Sequence, residues 1–464
     1  MGRRHWGAPF LAGALLLLGG CAFSGPEDLY AVPKAAEDYE KLQDQIDLIR
    51  NSNAEYAGPV SGSNTQPVQL MDLDGDGVQE AVAFFRTTAV DGSPPLKIYV
   101  FKQTEDGDYA MEHVIEGDGT AINSISYVDL DGYADEAGRT DKELVISWRL
   151  SDRIYRLTAY SLRGEEAAAI LPAVSYTDYA LIDMDKDNLQ ELVLLDLNTV
   201  EGICQADYYD YRDGQMVLSS SAPFSNAITG LVSDSRPLNG YLKNGESAEP
   251  ALFVTSNLTT GVITDIFAYR DGALVNVTLD PATGMSEKTI RLSNNISIQD
   301  INGDSFLEVP RPTAFPGLNT PGSAENFWSV QWIQYDMAGE ATVISTTYYN
   351  GEDGWYLELP SRWIGHIALA RQDDSSSEER GVLFYPYTEG AEGEAPQPFL
   401  AIYRLTGPNQ TIRAQAGDRF VLLTKDDAIY VAEFFQDSGW DCGVDAEELK
   451  TLFHLIQPEW VPAY

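Results

Sequence analysis

The sequence predicts an all-β chain folded as a β-propeller of four-stranded blades, on three observations. An apolar strand, an Asp-rich turn, a Glu and a second apolar strand recur along the chain. The recurrences are evenly spaced. Asp-Gly hairpin turns lie between them. The pattern is clearest at 68–82, 125–132, 179–193 and 296–309, with first aspartates at 72, 129, 183 and 300. The last gap is about twice the others, and a worn copy fills it: Ile228 to Asp234, a loop, then Glu249 to Val254. Two further worn copies follow, one from Gly365 through Tyr385 and one from Arg419 through Ala432. Seven centres at roughly 50–70-residue spacing favour seven blades. The chain after Phe435 is too short for two more strands, so six blades with an irregular closure is the alternative.

Each interval between centres reads as a hairpin. Leu96 to Phe101 and Tyr109 to Ile115 alternate as strands around Glu105-Asp-Gly-Asp108, and Arg212-Asp-Gly214 and Arg270-Asp-Gly272 repeat the signal. Asp-Gly suits the positive φ that two-residue hairpin turns require.

The elements before and after the repeats are of other kinds. Residues 1–20 read as an export signal: Arg3 and Arg4 precede an apolar run from Phe10 to Leu18, too short to span a bilayer. Leu18-Gly19-Gly20-Cys21 resembles the bacterial lipobox, which implies a lipid on Cys21 and attachment at the extracytoplasmic face of the cell membrane. Residues 21–63 then supply a tether and a helix whose stripe is Ala35, Tyr39, Leu42, Ile46 and Ile49. The propeller is placed at 64–435. Residues 436–464 hold a second helix, opened by a capping box of Asp445 and Glu448 and carrying Leu449, Leu452, Phe453 and Ile456. Cys204 and Cys442 are read either as a disulfide or as two free thiols, and with four His in all a zinc site is not expected.

Composition narrows the function. The 464 residues carry 71 acids against 30 bases, a formal charge of −41, yet 44% are hydrophobic and 11% aromatic, so the chain can bury a core and is no disordered acidic tail. Nucleic acid is excluded as a partner, because phosphates need Lys and Arg. So many carboxylates must be solvated or bound to cations.

The repeats supply cation sites. Asp72, Asp74 and Asp76 occupy positions 1, 3 and 5 of a tight turn. Gly77 permits the bend at position 6, the Val78 carbonyl adds a neutral oxygen, and Glu80 closes the cage at position 9. Hard oxygen ligands in this number suit Ca²⁺. Asp183, Asp185, Asp187 and Glu191 repeat the set with Asn188 at position 6, and Asp300, Asn302, Asp304 and Glu308 repeat it with Ser305 there. In the second loop Asp129 and Asp131 are separated from Glu143 by an insertion, with Asp135 or Asp141 as the third carboxylate. The bland alternative, Asp-stabilised turns without metal, leaves several like charges in one turn unbalanced. The three worn copies lack these ligands and are expected to be metal-free.

Asp-x-Asp-x-Asp-Gly-x-x-Glu between two strands, repeated at blade spacing, resembles the FG-GAP/VCBS-type repeats of integrin-like β-propellers. With the lipobox, the whole chain is similar to Gram-positive lipoproteins that carry such repeats. The resemblance implies calcium in the blade loops and extracellular binding or adhesion, without a particular ligand. The expected function is therefore a surface-anchored, non-catalytic lipoprotein, monomeric, whose propeller binds an extracellular or envelope protein or a glycan. The alternative is a carbohydrate-active propeller enzyme using paired carboxylates. Trp328, Trp332, Trp355 and Trp363, near the Pro310–Pro321 insertion, are read either as blade core, the favoured reading, or as a sugar-stacking surface. His113, His366 and His454 are expected to be satisfied structural residues.

Overall fold

The computed structural model describes residues 37–88, 94–198, 202–232, 236–292, 296–316, 327–374, 378–389, 396–425 and 427–457. The export signal, Cys21 and the tether lie outside the described residues, as does part of the Pro310–Pro321 insertion. Among the described residues no helix is long and apolar enough to cross a membrane.

The described strands form six antiparallel sheets of four or five strands, following one another along the chain. Sheet 1 is built on Glu80–Thr87, Leu96–Gln103 and Tyr109–Gly117. Sheet 2 runs from Ala121–Val128 to Ala168–Tyr176, sheet 3 from Asp178–Ile182 to Gln215–Pro223, and sheet 4 from Gly230–Leu231 to Ala273–Asn276. Sheet 5 begins at Val309–Ala314 and sheet 6 at Ile367–Asp374.

The strands that follow the acidic turns at 72–80, 129–143 and 183–191 begin as near-continuous apolar runs because they are buried on both faces. In Glu80–Thr87, Val82 and Phe84 pack toward sheet 2 while Ala81, Ala83 and Phe85 pack the other way. Outer strands such as Tyr109–Gly117 alternate buried and exposed positions. The hairpins at 212–215 and 270–273 place Asp213, Gly214, Asp271 and Gly272 at positive φ, the two-residue turn their Asp-Gly pairs encode.

Each sheet packs its face on the next. Ile98 and Ile146 share a core cluster between sheets 1 and 2, Val145 and Leu194 one between 2 and 3, and Val193 and Phe267 one between 3 and 4. Phe253 and Val309 share the junction of 4 and 5, and Leu357 and Phe384 that of 5 and 6. No core cluster among the described residues joins sheet 6 to sheet 1. The free face of sheet 1 is covered instead by the helix Glu37–Arg50 (α1), through Leu42 and Ile46. That of sheet 6 packs on Ala414 and Phe435, beside the short helix Gln410–Arg413 (α2).

Two expectations are corrected. The sixth and seventh centres are not separate units: Leu400–Thr406 pairs Glu379–Pro386 on one side and Ala428–Phe434 on the other, merging both hairpins into one five-stranded sheet. Six sheets result among the described residues, the count that the sequence left open beside seven. The C-terminal helix spans only Ala446–Leu452 (α3), where Asp445 accepts from the Glu447 and Glu448 N–H groups. Phe453 and Ile456 do not extend its stripe. Phe453–Leu455 instead forms a strand on the edge of Trp355–Glu358, satisfying that edge's backbone groups and burying Phe453. At the other end, Ala54–Tyr56 pairs with Glu80–Thr87. Cys204 and Cys442 are free thiols.

Candidate metal centres

All four acidic turns share one backbone design. In each, the N–H at position 2 donates to the closing Glu: Leu73 to Glu80 at 2.8 Å, Leu130 to Glu143 at 2.9 Å, Met184 to Glu191 at 2.7 Å and Ile301 to Glu308 at 2.9 Å. The aspartates fold the turn on itself. In the third loop Asp183 accepts from Lys186 and Asn188 N–H, Asp185 from Asp187 N–H, and Asp187 from Leu189 N–H. The first and fifth repeat this, with Gly77 and Ser305 donating to Asp72 and Asp300. Position 6 is left-handed in all three, at Gly77, Asn188 and Ser305. Position 4 is left-handed too, at Gly75, Lys186 and Gly303, and Gly132 matches it in the second loop. Lys there is uncommon and bears the strain of a Cβ at positive φ.

The closing glutamates lie at the base of the turns, all 2% exposed or less. Burial, opposed by the position-2 N–H and reinforced by the neighbouring aspartates, pushes Glu80 up to about 7 and Glu143 and Glu191 up to about 8. Burial likewise lifts Glu308 to about 7, against the Ile301 N–H and Gln334. The second oxygens of Glu80 and Glu143 are buried with no hydrogen-bond partner, as is one oxygen of Asp72. A buried carboxylate oxygen left without a donor is costly, and a cation is the group that would complete it.

Carboxylate oxygens from different residues converge in three of the loops, within 4.8 Å of one another. They come from Asp72, Asp74 and Glu80, from Asp129, Asp131 and Glu143, and from Asp183, Asp185, Asp187 and Glu191. Asp76 stands slightly apart from the first group. Val78 sits at position 7 with its N–H on Asp76 and its side chain exposed. In the second loop Asp135 is taken by Arg139, at 2.6 Å. Asp141 stays beside the cluster, its carboxyl raised by burial and by Asp131 and Asp129 against the pull of Arg163. The fifth loop differs: Gln334 donates to Asp304 at 2.8 Å and to Glu308 at 2.5 Å, bridging the two acids.

The residues that reach into these loops from neighbouring strands and hairpin turns were not legible in the motif. Lys102 contacts Asp74 and lies 3.9 Å from Asp76, Arg163 contacts Asp131 and lies 3.3 Å from Asp141, and Lys243 lies 3.6 Å from Asp304. The third loop has no such cation among the described residues. Its own Lys186 turns away to Glu249, at 2.5 Å, in the worn copy of the repeat. Adjacent loops also touch. Lys142 N–H donates to Leu73 O at 2.8 Å and Gln190 N–H to Asp129 O at 3.2 Å. A Cβ on Gly75 would meet Thr140 O at 2.5 Å.

Of the two readings of the tryptophan cluster, blade core is the one found for three of its four members. Trp332, Trp355 and Trp363 are fully buried core, and Trp328 packs partly buried beside Trp332. The histidines differ from expectation as well. His113 is buried with neither ring nitrogen bonded, and His366 is exposed. His454 lies against Tyr356 and 3.3 Å from Glu358.

No protein-family model matches the chain, and no curated protein matches it. Among solved structures, a Lactobacillus plantarum protein is 13% identical, over 73% of this chain and 90% of that one, with a TM-score of 0.22. The α-L-arabinofuranosidase of Fusarium graminearum, solved with an iminosugar inhibitor, is 8% identical over 83% and 98%, TM-score 0.26. The same organism's GH93 α-L-arabinofuranosidase with arabinobiose is 10% identical over 84% and 99%, TM-score 0.25. Superpositions this poor carry no argument about fold or activity.

Proposed function

We propose that the chain is a calcium-stabilised, propeller-type binding module, held at the outer face of the cell membrane by a lipid on Cys21, that engages an extracellular or envelope protein or a glycan without catalysis. The observation that carries the metal reading is the repeated closing glutamate: the same backbone donor holds one oxygen in four loops, and in two of them the other oxygen is buried without a partner. Calcium supplies a hard charge that a ring of carboxylates accepts in a flexible six- to eight-oxygen shell. The serial stacking of six sheets supports blades, with helices rather than a sheet–sheet junction at the two ends of the series.

A binding role suits the distribution of groups. The acids that cluster are spent on turn geometry, and Trp332, Trp355 and Trp363 are in the core instead of on a sugar-stacking face. Each Ca²⁺ that a loop binds adds +2, and even a full set of four would only take the lipidated chain from about −43 to about −35, leaving a strongly anionic body repelled by anionic headgroups. The test is a glycan and envelope-protein binding screen of the mature chain with Ca²⁺ and with EDTA. Calcium-dependent capture supports the reading. Turnover of an arabinoside or another glycoside would replace it with the enzyme.

A further inference from the structure

A second set of charged groups lies at the junction of sheets 5 and 6. Arg371, Arg380 and Arg404 stand on three consecutive strands of sheet 6, each on the side that also carries Leu369, Phe384 and Ile402 toward sheet 5. Arg380 and Arg404 are directly opposed across the strand pair, where like charges repel. The 350–354 turn of sheet 5 answers the first two. Arg371 contacts Glu352 and reaches Asp353 at 2.8 Å, and Arg380 lies 2.7 Å from Glu352 and 2.9 Å from Asp353. Asp353 is buried, fixed by Asn350 and by both guanidiniums. Two carboxylates thus serve two arginines, and the third has none.

Arg404 is half-buried, its Nε is buried without a hydrogen-bond partner, and it forms no ion pair among the described residues. It opens onto a cavity of about 340 Å³ walled by the 351–354 turn, Lys425, Asp427, Tyr430 and Leu455-Ile456 of the C-terminal strand. Lys425 is likewise unpaired among the described residues, and Asp427 pairs with neither cation. Arg404 and Lys425 thus line one cavity without an ion pair among the described residues, in a chain with more than twice as many acids as bases and beside Glu352, Asp353 and Asp427. A half-buried guanidinium next to another guanidinium is stabilised by an anion that its planar fork can grip.

We propose that this cavity is an oxyanion site: Arg404 grips a carboxylate or phosphate group of a small ligand, and Lys425 supplies the second positive charge. The volume is at the small end for ligand pockets and fits a body the size of one sugar ring. The C-terminal strand supplies part of the wall, so its docking on sheet 5 completes the site. The site uses none of the acidic loops and stands whether or not they hold calcium.

Titration of the full mature chain with glucuronate, glucose 6-phosphate and neutral glucose, followed by calorimetry and by the thermal midpoint, tests it. The three probes share a ring and differ in the anion. One or both acidic sugars bind saturably and raise the midpoint, and glucose does neither; which acid binds tells carboxylate from phosphate. Arg404→Met weakens that binding at least tenfold, Arg404→Lys less, since it keeps charge without the fork, and Lys425→Met severalfold. In anion-free buffer Arg404→Met melts no lower than wild type, because it removes an unpaired charge. Silence of both acidic sugars in wild type, or equal binding in wild type and in both Arg404 variants, overturns the proposal.

Discussion

The loops at 183–191 and 300–308 have the same length, the same aspartate hydrogen bonds and the same buried closing glutamate, yet opposite charge balance. The third holds four converging carboxylates with no cation among the described residues. Burial and then its neighbour Asp187 raise Asp185. In the fifth, Asn302 replaces one acid, Gln334 bridges Asp304 and Glu308, and Lys243 stands 3.6 Å away. There burial is overcome by Gln334 and the Phe306 N–H, so Asp304 is lowered. The difference teaches that one turn scaffold can carry very different charge: side chains from the next strands balance the fifth loop, and on the calcium proposal a metal would balance the third. The first and second loops are intermediate, with Lys102 and Arg163 partly filling the cation's role.

The largest effect is therefore expected at the third loop. Asp183→Ala should remove one bound Ca²⁺ and most of that loop's calcium-dependent stabilisation, about 2.7 kcal/mol at a hundredfold excess over Kd. Asp300→Ala should change metal content least. Metal analysis by native mass spectrometry with paired melts reads both. Equal losses from the two variants would erase the contrast.

The next effect is pH dependence of the metal-free chain. A Glu near 4.5 when unfolded and at about 7 to 8 when folded keeps its proton in the folded state across that window. The glutamates' contribution is then full below about 4.5 and is lost as pH rises through about 8. In EDTA the melting midpoint should fall between pH 5 and 8, and saturating Ca²⁺, which holds the carboxylates ionised, should flatten the fall. A rise over that range in EDTA would contradict the reading.

Lys102→Met sharpens the comparison at the first loop. It should lower stability in EDTA and raise calcium affinity there, each by about 1 kcal/mol or less, the scale of a part-exposed ion pair. Terbium luminescence titration reads the affinity, and an affinity that falls would show Lys102 to be part of the site and not a competitor.

The smallest effect separates the loops by backbone alone. Ser305→Gly should stabilise by up to about 1 kcal/mol by relieving a positive φ, whereas Asn188→Gly should be near neutral because Asn tolerates that conformation. Chemical denaturation of the two variants measures both.

What was legible in the chain was local. Asp-Gly pairs at 213–214 and 271–272 specify their turns by φ, and the Asp spacing specifies the loops. What escaped was set by tertiary pairing. Lys102 and Gln334 from strands, and Arg163 from a hairpin turn, reach their loops across 28 to 32 residues, a relation that no spacing rule encodes. Phe453 fits a helix stripe as well as a strand, and the open edge at Trp355–Glu358 decides. Two worn hairpins carry too little pattern to show that they complete a single sheet. The tryptophans look alike in sequence whether they face a sugar or a core.

The central claim is that calcium completes the acidic loops, and a thermal melt of the mature chain in EDTA and after calcium is restored tests it most directly. The midpoint should fall by several degrees in EDTA and recover with Ca²⁺, and the response should shrink most in Asp183→Ala and least in Asp300→Ala. A midpoint unchanged by EDTA would contradict it.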